Sequence, residues 1–305
     1  MTVCVAAICK SLGSDFPTIL GASDRMLTAG DIEFEPERSK IYPLTNSIRV
    51  MLAGDSAMQW EVMLDVNADV LARIKSDPKN WWNVRDVADL YARYYNRAKL
   101  KRAENEILAP LGLDQYSFMA QQHQLNSELI HKLATQLQNF NAPAVETIFA
   151  GIDMTGAHIY TAYNSYITCL DAIGFAAIGI GSRHTNSEFM FAKHTNQRAL
   201  PETLRLLYWA KKRAEVAPGV GMGTDMFMIG PTLGSGIMIG DHVLRKLEEV
   251  YEDTQKKTRE TLQESDQRLT QYIEQLTKPE PPQQQVAKPG TEGVVPSAND
   301  PNTPS

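Results

Sequence analysis

Two short apolar runs at the start of the chain limit its possible folds more than any other feature. Residues 2–10 (TVCVAAICK) are small, β-branched or apolar, and residues 18–22 (TILGA) repeat the pattern after a loop rich in Gly, Ser, Asp and Pro. Runs of this length, separated by turn residues, read as two antiparallel strands. The first run begins at Thr2, directly behind Met1. A threonine with a free α-amine carries a nucleophilic hydroxyl and a base on adjacent atoms. An α-amine titrates near about pH 8 and so keeps an unprotonated fraction at neutral pH. While Met1 is attached, that nitrogen is an amide and takes up no proton. Thr2 is small enough for ordinary methionine trimming to expose it.

The second strand leads into Ser23, Asp24, Arg25, Met26, Leu27, Thr28, Ala29 and Gly30. Lys40 lies sixteen residues beyond Asp24, at the start of a predicted strand SKIYPL. Gly54 lies fourteen beyond Lys40, in MLAGDSA at the end of the next strand. The order Thr2, Asp24, Thr28-Ala29-Gly30, Lys40, Ala53-Gly54 resembles that of proteasome β subunits and their bacterial relatives of the HslV and Anbu types. The spacings from Asp24 to Gly30, Lys40 and Gly54 match that family without a gap. The first hairpin is longer, by six residues of SLGSDFPT.

The resemblance implies an α+β protein with the N-terminal-nucleophile (Ntn) hydrolase fold, a four-layer αββα sandwich over roughly residues 2–240. The activity it implies is a threonine-type peptidase with Thr2 as nucleophile. Lys40 resembles the lysine that lies against the threonine hydroxyl, where a positive charge favours the alkoxide. A buried ammonium is costly when isolated, so a carboxylate must accompany it, and Asp24 fits that role. The N–H of Gly54 would meet the oxygen of the tetrahedral intermediate, where one such donor is worth about 3 kcal/mol. Thr28 and Gly30 would flank the cleft and bind an extended substrate main chain by strand addition.

Two supporting positions depart from the family. Where a serine usually follows the glycine and helps hold the terminal amine, this chain has Ile180; Ser182 is the nearest substitute, with a helix N-cap as its other reading. Where an aspartate and a serine complete the amine-binding group, Glu215 and Pro218 stand. Glu215 can replace the acid, but Pro218 cannot replace a hydroxyl.

The remaining sequence is compatible with this layout. Apolar residues at helical spacing predict a helix over 56–76 and a second one carrying Val87, Leu90, Tyr91, Tyr94 and Tyr95 on one side. A Gln-rich helical stretch over 117–139 falls within a segment, about 100–142, that a minimal β subunit lacks, and it is read as a helical insertion. Strands follow over 145–153, 158–163 and 224–229, with a helix over 201–216. Residues 241–277 form a C-terminal helix with a narrow apolar stripe through Leu262, Leu269 and Leu276, packing weakly on a neighbour or simply solvated. Residues 278–305 hold seven prolines and no Leu, Ile or aromatic residue, the composition of a disordered tail.

Composition narrows the function further. With 43% hydrophobic residues the chain can bury one large core, and a net charge of −6 argues against nucleic acid as a partner. Cys4, Cys9 and Cys169 have no disulfide or metal spacing and read as small buried residues; the six histidines are scattered, so no metal or other cofactor is expected. No basic leader and no stretch of 18 apolar residues is present, which predicts a cytoplasmic protein without membrane insertion. The resemblance implies a homo-oligomer, a ring or related assembly that shelters the nucleophile, acting on peptides or unfolded proteins, with an ATP-dependent unfoldase as a possible partner. An Ntn amidase on a small or specialised substrate and a catalytically silent assembly subunit are the alternatives.

Overall fold

The computed structural model describes residues 2–29, 32–37 and 39–277. Met1, Gly30 and the tail 278–305, on which three of the expectations above fall, lie outside the described residues. The protein is mixed α+β, with several sheets and seven α-helices among the described residues. It divides into two compact units, residues 1–251 and 252–305.

In the first unit, β1 (Cys4–Lys10) and β2 (Pro17–Asp24) form the expected antiparallel hairpin, with Cys4 opposite Ser23 and Lys10 opposite Pro17. The hairpin is the centre of a five-stranded sheet. On one side β1 pairs with β10 (Phe175–Ile178), and on the other β2 pairs with β11 (Thr224–Ile229), which pairs with β12 (Ile237–Met238). A second antiparallel sheet runs β5 (Ile41–Pro43), β6 (Ile48–Gly54), β7 (Val145–Asp153), β8 (Gly156–Tyr163) and β9 (Tyr166–Cys169). A separate short hairpin, β3 (Leu27–Ala29) with β4 (Ile32–Phe34), lies between the two sheets in sequence and was not legible as strands.

The period of two along β1 explains why that strand is apolar throughout. Cys4, Ala6 and Ile8 point into one core with Met51 and Ala53 of β6 and Ile148 and Ala150 of β7, so the two sheets meet there. Val5, Ala7 and Cys9 point the other way, onto Phe189 of helix α5 (Ser182–Phe191) and Leu206, Leu207 and Ala210 of helix α6 (Leu200–Ala214). A strand buried on both faces has no polar face to alternate with. The outer face of the second sheet, through Ile48, Val50 and Phe149, packs on helices α1 (Ser56–Ser76) and α2 (Val84–Ala103). Helix α1 has the predicted bounds. In α2, Val87, Leu90, Tyr91 and Tyr95 are buried as the pattern predicts, whereas the Tyr94 hydroxyl reaches outward to Asp69 at 2.6 Å.

Three expectations need correction. The helix predicted over 117–139 is two, α3 (Gln115–Ala120) and α4 (Ser127–Gln138), because Asp114 and Asn126 each cap a new N-terminus with their side chains. Together with a π-helical turn at Glu104–Leu108 they bury a small core of their own around Leu108, Phe118 and Leu133. Cys169 is exposed rather than buried, since it ends β9 at the edge of its sheet, while Cys4 and Cys9 are buried. Ser182 is the first residue of α5, and the N-cap position belongs to Gly181.

Helix α7 (Asp241–Thr277) begins in the first unit, where Leu244, Leu247 and Tyr251 pack onto the core beneath α6. In the second unit the described residues continue that helix, with Leu262, Leu269 and Leu276 exposed along it. Among the described residues no helix is long and apolar enough to cross a membrane.

Candidate active site

Strand β2 ends on Asp24, whose side chain is fully buried. Thr2 and Val3 precede β1, and the pairing of β1 with β2 carries them alongside Asp24. The Asp24 carboxylate collects five donors. Its Oδ1 accepts from the Thr2 hydroxyl at 2.7 Å, the Val3 N–H at 2.9 Å and Lys40 Nζ at 2.8 Å. Its Oδ2 accepts from the N–H groups of Met26 and Gly221, each at 3.0 Å. Lys40, which comes directly before β5, also donates to Thr2 Oγ1, so Thr2, Asp24 and Lys40 form a closed triangle. The side chain of Lys40 is only 9% exposed, which makes its pairing with Asp24 an ion pair shielded from water.

Thr2 is held from its other side by the segment after β10. Gly179 adopts φ +83°, and a Cβ there would stand 2.3 Å from the Thr2 carbonyl oxygen and 2.8 Å from its Cγ2. The Gly179 N–H donates to Glu146 Oε2 at 2.8 Å, and the Gly181 N–H donates to the Thr2 carbonyl at 3.2 Å. Glu146 was missed in the sequence. Its one signal is that it is the only charged residue inside the mostly apolar run VETIFAGI of β7.

A cleft of about 510 Å³ opens over this triangle, and Thr2, Thr28, Lys40 and Gly54 all line it. Its walls also carry Tyr42 and Trp60, whose rings meet edge to face 6.3 Å apart. The Thr28 hydroxyl oxygen is itself buried and has no protein partner among the described residues. Gly54 ends β6 at φ +103°, and Asp55 then caps α1 by accepting from the Met58 N–H at 2.7 Å. A Cβ at Gly54 would lie 2.4 Å from the Ala144 carbonyl oxygen, an immovable backbone atom. Gly54→Ala is therefore strained both by its φ and by that contact, at a cost of about 1–3 kcal/mol. We expect a lower urea midpoint for this variant.

The structure brings Thr2, Asp24, Lys40, Gly54 and Thr28 to one place. It does not bring Glu215 to Thr2. The Glu215 carboxylate accepts from Lys211 Nζ at 2.6 Å and lies 3.4 Å from Lys212 Nζ, at the C-cap of α6. At the two positions where the chain departs from the resemblance, Pro218 is exposed and Ile180 is half-exposed. No protein-family model matches this chain, and no curated protein matches it.

Proposed function

We propose that this protein is an N-terminal-nucleophile hydrolase of the proteasome β-subunit type, a threonine peptidase acting from Thr2 within an αββα sandwich. The observation that carries the proposal is the triangle of Thr2 Oγ1, Asp24 Oδ1 and Lys40 Nζ on the floor of a cleft that Gly54 and Thr28 also line. Once Met1 is gone, the Thr2 amine takes the proton from Oγ1 as that oxygen attacks the substrate carbonyl carbon. The Lys40 ammonium stabilises the developing negative charge on Oγ1, and Asp24 holds Lys40 in place. Collapse of the tetrahedral intermediate breaks the C–N bond, the amine returns the proton to the leaving nitrogen, and water then hydrolyses the ester on Thr2. The reading extends to a cytoplasmic homo-oligomer that encloses the site, fed with peptides or unfolded chains, an ATP-dependent unfoldase serving folded ones.

Intact-mass measurement and reaction with a peptide epoxyketone test the proposal together, because that reagent closes a ring using both Oγ1 and a free amine. The mass should show loss of Met1, and the adduct should map to Thr2 and vanish in Thr2→Ala. Full retention of Met1 would end the hydrolase reading. A trimmed chain that never reacts would favour the silent assembly subunit. Ile180 and Pro218, apolar where the amine-holding group is usually polar, favour an amidase with a reshaped amine site as the second reading. Fluorogenic peptides set against small amides decide between the two.

A further inference from the structure

Behind the triangle sits a fully buried lysine that the scheme above does not use. Lys211, on the last turn of α6, is 0% exposed, and its three ammonium hydrogens are all taken. Nζ donates to Glu215 Oε1 at 2.6 Å, to the Gly221 carbonyl at 3.0 Å and to the Met222 carbonyl at 2.7 Å. Two consecutive carbonyls tied to one ammonium fix the 221–222 and 222–223 peptide planes, the first of which adjoins the Gly221 N–H through the Gly221 Cα. The N–H of the same Gly221 is one of the two donors on Asp24 Oδ2, at 3.0 Å. From the other side Glu35 accepts from the Gly223 N–H at 3.2 Å. A Cβ on Gly221 would lie 2.0 Å from Glu35 Oε1 and 3.0 Å from Met26 Cβ, so the loop is held tightly in place.

Burying an ammonium and a carboxylate together is rarely a net gain in stability, and apolar side chains of similar size commonly do as well or better. Burial also lowers the Lys211 pKa, while the Glu215 carboxylate opposes that shift. A group held at such cost, one residue removed from the carboxylate that anchors both Thr2 and Lys40, calls for a role beyond filling space.

We propose that the Lys211–Glu215 pair is a positioning device for the nucleophile: it aims the Gly221 N–H at Asp24 and through that carboxylate sets the place of Lys40 against Thr2. This rests on the hydrolase reading given above. Glu215 thereby acts through Lys211 and Gly221 and does not itself touch Thr2.

The full chain carrying Lys211→Met with Glu215→Gln removes both charges at once and leaves neither ion stranded. Two readouts apply: the rate constant and the affinity for epoxyketone adduct formation, taken separately, and the ¹³Cε resonance of Lys40 in lysine-labelled protein. The expected result is an unchanged or raised Tm, an unchanged affinity, a rate constant lower by about 10- to 100-fold, the scale of a misplaced reacting group, and a displaced Lys40 resonance. A folded double variant with both the rate constant and the Lys40 resonance at their wild-type values would overturn the inference. If the double variant does not fold, Glu215→Gln alone is expected to shift both readouts in the same direction by less, and wild-type values there would overturn it equally. If the wild-type protein itself forms no adduct while the double variant still displaces the Lys40 resonance, the hydrolase reading fails and the positioning role stands.

Discussion

Replacing Asp24 with alanine is expected to destabilise the protein by about 3–5 kcal/mol, the usual consequence of removing one partner from a buried ion pair. The residue is fully buried and satisfies five donors, three of them backbone N–H groups from separate segments at Val3, Met26 and Gly221. Alanine leaves those N–H groups without their acceptor and the Lys40 ammonium without its counter-ion, in a place that water reaches poorly. Asparagine does not rescue this, although it has the right shape. Every group facing Asp24 is a donor, and an amide has a single acceptor oxygen, so its NH₂ must confront either the Oδ1 or the Oδ2 set. Both variants should lower Tm by about 6 to 20 °C in a unit of this size. Thermal unfolding followed by circular dichroism measures it. An Asp24→Asn protein as stable as the wild type would show that the carboxylate charge is not what binds these segments together.

The second large effect is on reactivity. Lys40→Met should slow adduct formation at Thr2 by about 10²–10⁴-fold, because methionine fills the volume but offers neither charge nor proton to Oγ1. Lys40 lines the cleft as well as contacting Asp24, so part of the space it leaves is open to solvent and the fold tolerates its loss better than the loss of Asp24. The two variants therefore separate: Asp24→Ala acts first on Tm, and Lys40→Met first on the rate. Lys40→Arg should not restore the rate, since a planar guanidinium presents its donors differently from an ammonium. Measuring the adduct rate and Tm on the same preparations tells these cases apart, and a Lys40→Met protein that reacts at the wild-type rate would remove Lys40 from the mechanism.

What could be read in advance follows the range of the interactions involved. Period-two and helical patterning act over a few residues, so the β1–β2 hairpin, the bounds of α1 and the strands β7 and β11 were legible. The break between α3 and α4 was not, because the caps at Asp114 and Asn126 lie inside a polar, Gln-rich stretch where they do not stand out. The hairpin of β3 and β4 is also beyond such reading, with only three residues per strand. At the candidate site, Thr2, Asp24, Lys40 and Gly54 were singled out because their order and spacing resemble those of proteasome β subunits.

The sequence alone therefore determined the local elements that carry the proposed reacting groups, since those elements depend on neighbours in the chain. Only the tertiary structure decided which groups meet. Glu146 reaches Gly179 across 33 positions, and Gly221 reaches Asp24 across 197. Glu215 instead pairs with Lys211, only four positions earlier in the chain, and what long-range packing decided is that this lysine is buried against the Gly221 and Met222 carbonyls. A carboxylate at a given spacing can answer any buried cation nearby, and which one it answers depends on how the end of α6 packs against the strand that carries Asp24.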